Sequence, residues 1–161
     1  DVVGGLQYAH KASEEGIVAA ENIAHHDVEF DRVIPGAIFT SPEIAHVGKT
    51  EAELKEAGVA YKKGSFKFAA LGKAMSLGEP EGFVKLLADP ESDAILGIHI
   101  LGPHASDLIG EAALAMERGA TVEDLQSTIH THPTLAEALK EAALAADNRS
   151  IHQVNKEPAP A

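Results

Sequence analysis

Cysteine is absent from the 161 residues, so the chain itself supplies no disulfide, no thiol nucleophile and no cysteine-bound metal. No apolar run approaches the roughly 18–20 residues of a membrane span, and the first residues, DVVGGLQYAHK, lack the pattern of a signal peptide. Basic residues are scarce, with 13 lysines and arginines against 25 aspartates and glutamates. The formal net charge of -12 argues against binding to nucleic acid or to an anionic membrane. We therefore expect neither nucleic acid nor a membrane as a partner. We expect a cytoplasmic location, with the matrix of an organelle as the alternative.

The residues that are present are typical of a globular domain, with 45% hydrophobic and 24% charged residues. Apolar runs bounded by turn residues predict short strands joined in hairpins, and helical spacing predicts helices before and after them. This order predicts an α+β fold, an antiparallel sheet of four to five strands flanked by helices. The predicted strands are 37–40, 44–48, 61–70, 82–88 and 94–101, and the predicted helices are 9–24, 51–57, 107–118, 121–127 and 135–146.

Smaller signals refine this prediction. Thr50 and Glu53 form a capping-box pattern, and Ser106 is a candidate cap for the helix that follows it. Residues 71–81 are predicted to be rich in loop. His99 lies in an apolar strand pattern, which favours a packed core or interface histidine over a ligand.

The strongest chemical pattern is HTHPTLAE, which starts at His130. Pro133 disfavours a helical backbone at His132, and an X-Pro bond can also be cis, so His132 is expected at a turn. Thr134 and Glu137 have capping-box spacing and predict a helix over 135–146. A carboxylate beside an imidazole fixes its tautomer and raises its basicity, which is how a general base is built.

Simpler interpretations of these residues stay open. Glu137 is also explained as a helix cap alone, and His132 as an ordinary surface histidine. His130 and His132 have the spacing of two metal ligands on an extended segment, but no third and fourth ligand follows at zinc-like spacing, and we predict no metal site.

A second pattern stands at the start of the chain. Residues 1–3, which start with Asp1, have the pattern of a strand end that enters the glycine turn Gly4-Gly5, and a predicted helix follows. A carboxylate can accept hydrogen bonds from hydroxyls, and the free N–H groups of a helix start can donate to a ligand. An ordinary surface turn explains the same residues.

The segment HTHPTLAEALKEAALAA closely resembles the C-terminal signature of the dihydrolipoamide dehydrogenases, which are flavoprotein disulfide reductases. The resemblance implies that His132 is the catalytic base and Glu137 its orienting partner. Glutathione and mercuric reductases share a similar fold but differ around the His-Pro segment. The segments FTSPEIAHVGKTEAELKEAG, VKLL, LGIHILGP and EAALAMERGA extend the resemblance over most of the chain.

The start of the chain, DVVGGLQYAHKASEEG, resembles the same family's second flavin-binding segment. The resemblance implies that FAD is contacted by Asp1, Gln7, Tyr8, Ala9 and His10. It also implies three parts: 1–30 is the last turn and helix of an FAD-binding domain, 31–148 is the dimerisation (interface) domain, and 149–161 is a polar tail that we expect to be frayed.

The function implied by the resemblance belongs to a longer parent enzyme, because a GxGxxG loop and a redox cysteine pair do not occur in the chain. That parent is a homodimer that oxidises dihydrolipoamide with FAD and NAD, and the His-Glu pair acts on the partner subunit. We expect the chain to dimerise through the predicted helix 135–146 and the nearby sheet. Its expected partner is a lipoyl-bearing acyltransferase of a 2-oxoacid dehydrogenase complex or a glycine cleavage protein. The alternatives are a stand-alone dimerisation module and the same domain of a sister disulfide reductase.

Overall fold

The computed structural model describes residues 1–155 of the chain, and it divides them into two compact units. The first unit is Asp1–Ile34, and the second begins at Pro35. None of the helices within the described residues combines the length and the apolar character needed to cross a membrane.

The first unit consists of a turn and one helix. The N–H of Gly4 donates to the carbonyl of Asp1 at 3.1 Å, and the expected strand end is absent from residues 1–8 as the structure describes them. Helix α1 (Ala9–Ile23) follows, close to its predicted bounds. Lys11 fastens the helix to the turn, because its Nζ donates to the carbonyl of Gly4 at 3.1 Å and also contacts Glu15.

The second unit is built on a five-stranded sheet, which confirms the predicted α+β fold. All neighbouring strands are antiparallel, in the order β1-β2-β5-β4-β3. The central strand β5 is therefore paired on both sides. The strands are β1 (Gly36–Ile38), β2 (Glu43–Gly48), β3 (Lys62–Lys67), β4 (Phe83–Ala88) and β5 (Ile95–Gly102).

Helices cover one face of this sheet. Helix α4 packs against β2 and β5, and helix α6 packs against β3 and β4. Alternate strand residues point into the core between sheet and helices, including the fully buried Val47, Leu86 and Phe66. The helices of this unit are α2 (Glu51–Glu56), α3 (Gly72–Leu77), α4 (Ala105–Glu117), α5 (Val122–Ser127) and α6 (Glu137–Ala146).

On the opposite face of the sheet, Lys63 and Lys85 form ion pairs with Glu51 of α2. His46 and His99 face each other across β2 and β5, with ring centroids 6.4 Å apart. Burial, with the charges of Lys85 and His46 adding to it, lowers the pKa of His99 to about 4, so its ring is neutral at neutral pH. His99 is half-buried, in line with the packed histidine predicted from its strand pattern.

Three local predictions need correction. Residues 71–81 are not only loop, because they contain α3, which Gly78 ends at φ 74°. The strand predicted to reach residue 70 ends at Lys67 and is followed by a single 3₁₀ turn. Ser106 lies inside α4 instead of capping it: its N–H donates to the carboxylate of Glu43 on β2 at 2.9 Å.

The predicted frayed tail is also wrong for the residues that the structure describes. Ser150 is buried, and its hydroxyl donates to the carbonyl of Glu141 on α6 at 2.9 Å. The side-chain amide of Gln153 donates to the carbonyl of Ser65 on β3 at 2.7 Å. Polar side chains that find backbone acceptors therefore attach this segment, although it contributes little to the apolar core. The remainder of the predicted tail, 156–161, lies outside the described residues.

Candidate functional site

The predicted pair His132 and Glu137 is in hydrogen-bond contact. Nδ1 of His132 lies 2.9 Å from Oε1 of Glu137, and the peptide bond between His132 and Pro133 is cis. The imidazole is 74% exposed, whereas the carboxylate is only 19% exposed. With Nδ1 directed to the carboxylate, Nε2 is the nitrogen that can accept a proton from a ligand.

The second oxygen of Glu137 is engaged as well. The N–H of Thr134 donates to Oε2 of Glu137 at 2.8 Å, whereas the Thr134 hydroxyl donates to the carbonyl of Thr131. Only half of the predicted capping box therefore exists, because the hydroxyl is used elsewhere. Helix α6 begins at Glu137, after an N-cap residue Ala136 that makes no side-chain cap, and not at the predicted Leu135.

The carboxylate of Glu137 is held in its charged form. Burial by itself would raise the pKa of this carboxyl, but the Thr134 N–H and the His132 imidazole outweigh burial and keep the pKa below its usual value. Because both oxygens are bonded, the carboxylate is also fixed in orientation. It can therefore keep the ring of His132 in one tautomer.

His130 occupies a different environment from His132. Its Nε2 lies 2.8 Å from Glu111 on α4, its Nδ1 lies 3.3 Å from the carbonyl of Thr128, and only 6% of its side chain is exposed. Both ring nitrogens face acceptors, which favours the imidazolium form. The hydrogen bond to Glu111 accordingly raises the pKa of His130, although burial opposes it.

This bonding leaves His130 without a ring nitrogen for a metal ion. In residues 1–155, no group of three or more histidine, cysteine, aspartate or glutamate side chains has a metal-binding arrangement.

A cavity of about 290 Å³ lies beside the His132–Glu137 pair. Its walls combine aliphatic side chains with histidine, glutamate and lysine, a composition suited to a ligand with an apolar body and a polar group. A larger cavity, of about 620 Å³, lies between residues 40–43, 78–81 and 103–104 and contains none of the predicted site residues. The lining of the smaller cavity is Ala70, Leu71, Gly72, Ile129, His130, His132, Glu137, Lys140, Glu141, Ile151 and His152.

The five residues predicted to contact FAD all lie in the first unit. Asp1, Gln7, Ala9 and His10 are exposed, Tyr8 is half-buried, and the rings of Tyr8 and His10 stack with centroids 5.3 Å apart. Helix α1 begins after Tyr8 without a side-chain cap. The N–H groups of its first turn can therefore donate to a ligand.

Comparison with known proteins places this fold in a family. The family profile described as "Pyridine nucleotide-disulphide oxidoreductase, dimerisation domain" matches residues 34–143, more than half of the chain.

The chain belongs to this family. The match covers the second structural unit from its start to Ala143 of α6. It includes both members of the His132–Glu137 pair.

Individual relatives agree with this assignment. The chain is 52% identical over 155 residues to a dihydrolipoyl dehydrogenase of Bacillus subtilis, covering 94% of the chain and 32% of that protein. It is 49% identical over 154 residues to "Dihydrolipoyl dehydrogenase 1, mitochondrial" of Arabidopsis thaliana, covering 94% and 30%. The chain thus spans about a third of the length of these relatives.

Solved structures show the same architecture. LpdA from Mycobacterium tuberculosis superposes with a TM-score of 0.81 at 28% identity, over 87% of this chain and 31% of that one. The flavoprotein disulfide reductase RclA from Escherichia coli gives a TM-score of 0.83 at 23% identity, over 89% and 34%, which supports the fold alone.

Several residues around the cavity of this dimerisation domain were missed by sequence reasoning. Glu111, which holds His130, is 19 residues away from it, and no pattern connects the two. Glu141 and His152 form another histidine–carboxylate pair at the same cavity. The sequence offers one signal for this second pair: Glu141 stands one helical turn after Glu137, at a position inside the apolar pattern of α6.

Proposed function

We propose that this chain is the dimerisation domain of a dihydrolipoyl dehydrogenase and that it contributes the general base of that enzyme. The relatives with this name, about 50% identical over nearly the whole chain, support the enzyme class. The observation that supports the base is the 2.9 Å contact between His132 and Glu137, with the carboxylate fixed and the imidazole exposed.

In the proposed reaction, Nε2 of His132 takes a proton from one thiol of dihydrolipoamide. The thiolate sulfur then attacks a redox disulfide, which a cysteine pair outside this chain must supply because the chain has none. The disulfide bond breaks, a mixed disulfide forms and the other cysteine leaves as a thiolate. The second substrate thiol then attacks the mixed disulfide, which gives oxidised lipoamide and the reduced cysteine pair. Glu137 stabilises the imidazolium that forms and keeps Nε2 directed to the thiol. We propose that the disulfide belongs to the partner subunit of a homodimer, so that dimerisation completes the site.

We propose FAD and NAD as the cofactors of the parent enzyme, with residues 1–30 as part of the FAD-binding domain and 31–148 as the dimerisation domain. The uncapped start of α1 fits this role, and so does the turn before it: Gly4 has φ 82°, and nothing lies within 4 Å of the position of a Cβ there. Bound FAD would pass the electrons of the reduced cysteine pair to NAD⁺.

The proposed partner outside the homodimer is a protein that carries a lipoyl group, either the acyltransferase of a 2-oxoacid dehydrogenase complex or a glycine cleavage protein. The proposed location is the cytoplasm, or the matrix of an organelle, since one relative is named mitochondrial. The partner follows from the proposed substrate, and pull-down on a lipoylated domain tests it. Cell fractionation tests the location.

The decisive experiment replaces His132 in the intact enzyme and measures NADH formation from dihydrolipoamide and NAD⁺. His132→Gln should lower kcat by roughly 100-fold or more, the usual contribution of a general base. His104→Asn is the matched control, because His104 also faces a carboxylate, Asp107 at 3.4 Å, but lies outside this cavity. Near-normal turnover of His132→Gln would contradict the proposal, and faster turnover with glutathione disulfide and NADPH would favour a sister reductase.

A further inference from the structure

The cavity beside His132 contains a second histidine–carboxylate pair of similar geometry. Nδ1 of His152 lies 2.7 Å from Oε1 of Glu141, as Nδ1 of His132 does from Glu137 at 2.9 Å. Glu137 and Glu141 stand four residues apart on α6, so their side chains lie on the same face of the helix in successive turns. Both pairs line the same cavity.

Glu141 holds His152 firmly in place. The side chain of Glu141 is only 5% exposed. Its Oε2 accepts hydrogen bonds from the backbone N–H of Ile151 at 3.0 Å and from that of His152 at 3.4 Å. Its carbonyl oxygen accepts the hydroxyl of the buried Ser150. A buried carboxylate is stable only when it is hydrogen-bonded in this way, so Ile151 and His152 are fastened to the side chain of Glu141 and Ser150 to its backbone.

The fastened segment becomes one wall of the cavity. Ile151 is largely exposed, as is Ile129 elsewhere in the lining, while Leu71 provides a buried aliphatic surface. The hydrogen bonds to Glu141 therefore hold an isoleucine at the cavity without burying it in the core. Exposed aliphatic side chains held at a cavity beside polar groups suit a ligand with a hydrocarbon arm.

The imidazole of His152 supplies the polar group of this wall. It is 57% exposed, and with Nδ1 committed to Glu141 only Nε2 is left to contact a ligand.

We propose that His152, fixed by Glu141, is a substrate-positioning residue whose Nε2 accepts a hydrogen bond from the amide N–H at the end of the substrate's aliphatic arm while a thiol of the same molecule meets His132. This inference rests on the proposed function, since it takes the substrate to be a dithiol with such an arm. It adds a residue pair that acts on binding and takes no part in proton transfer.

The test compares two dithiols on the intact enzyme. The variant is His152→Asn, whose amide can still donate to Glu141 but has no group at the position of Nε2. For dihydrolipoamide, KM should rise roughly 5- to 20-fold, the value of one hydrogen bond, with kcat within about twofold. For propane-1,3-dithiol, which lacks the arm and the amide, wild type and variant should have the same kinetic constants.

His104→Asn serves again as the control, and it should leave both KM values unchanged. An unchanged KM for dihydrolipoamide in His152→Asn, or an equal loss with both dithiols, overturns the positioning role. The turnover of His132→Gln distinguishes the proposed function from the positioning role. If that turnover falls strongly while His152→Asn leaves KM unchanged, only the positioning role fails. If the turnover of His132→Gln stays normal, both the proposed function and the positioning role fail.

Discussion

The two histidines of the 130–132 segment differ in what surrounds them, although only one residue separates them. His132 gives one nitrogen to Glu137 and keeps the other exposed, whereas His130 gives both nitrogens to acceptors and is nearly buried. The first arrangement suits proton transfer to a ligand, and the second suits a fixed positive charge inside the fold. Sequence type alone could not assign these roles, because both residues are histidines in the same extended segment.

The ion pair of His130 predicts a pH-dependent contribution to stability. Its pKa is raised above the ordinary value of 6.5, so the stabilisation is fully present below about pH 6.5 and is lost as the pH rises through the raised pKa. His130→Asn should therefore lower the free energy of unfolding by roughly 1–2 kcal/mol at pH 6 and by less at pH 9. Urea titrations at the two pH values measure this. An equal loss at both pH values would contradict the charged form of His130.

At the scale of elements, α6 has two tasks. Its first residue, Glu137, belongs to the candidate site, and its body packs on strands β3 and β4. The close approach to β3 depends on Gly64, because a Cβ there would lie 1.9 Å from the carbonyl oxygen of Ala142. The position of the site relative to the sheet thus depends on a glycine far from it in sequence.

Gly64→Ala tests this packing. The helix or the strand has to shift to admit the methyl group, so we expect a loss of roughly 1–3 kcal/mol in the free energy of unfolding, or more. Gly110→Ala in α4 is the matched control, because nothing lies within 4 Å of its Cβ position and alanine is the better helix former there, by roughly 0.5–1 kcal/mol. Chemical denaturation of both variants gives the comparison. Equal stabilities would show that α6 does not depend on Gly64.

At the scale of the whole molecule, we expected α6 and the nearby sheet to form the contact between two subunits. None of the residues of α6 is exposed, because its apolar face is already covered within the chain. Exposed apolar side chains stand instead near β1 and β2, where Ile38, Phe39 and Ile44 are found. Exposed apolar clusters of this kind mark interaction surfaces, so we predict that β1 and β2 add to a homodimer contact that also brings the partner's disulfide to His132.

Sedimentation of the chain should therefore show a species of twice the 16.9 kDa mass. Phe39→Asp should shift this species towards the monomer, because an exposed apolar contact is replaced by a charge that the interface would have to desolvate. Val154→Asp is the control, since Val154 is also exposed but lies in the segment after α6. A wild type that stays monomeric at high concentration, or a Phe39→Asp variant that stays dimeric, would contradict this surface.

The sequence by itself determined the features that depend on neighbours within a few residues. The capping boxes Thr50–Glu53 and Thr121–Asp124, the alternation of the strands and the contact of His132 with Glu137 all join residues three to five positions apart or follow the pleat of a strand. Backbone geometry over such distances leaves few alternatives, and the pattern is therefore visible in the sequence.

Only the tertiary structure decided which distant residues meet. Glu111 reaches His130 from α4, Glu43 occupies the start of α4 in place of a Ser106 cap, and Glu141 draws the predicted tail onto the cavity. These contacts depend on how sheet and helices pack, and no local pattern encodes that. A buried carboxylate such as that of Glu141 requires hydrogen-bond donors, and packing decides which residues supply them. For this reason the polar segment after α6 lines the candidate site.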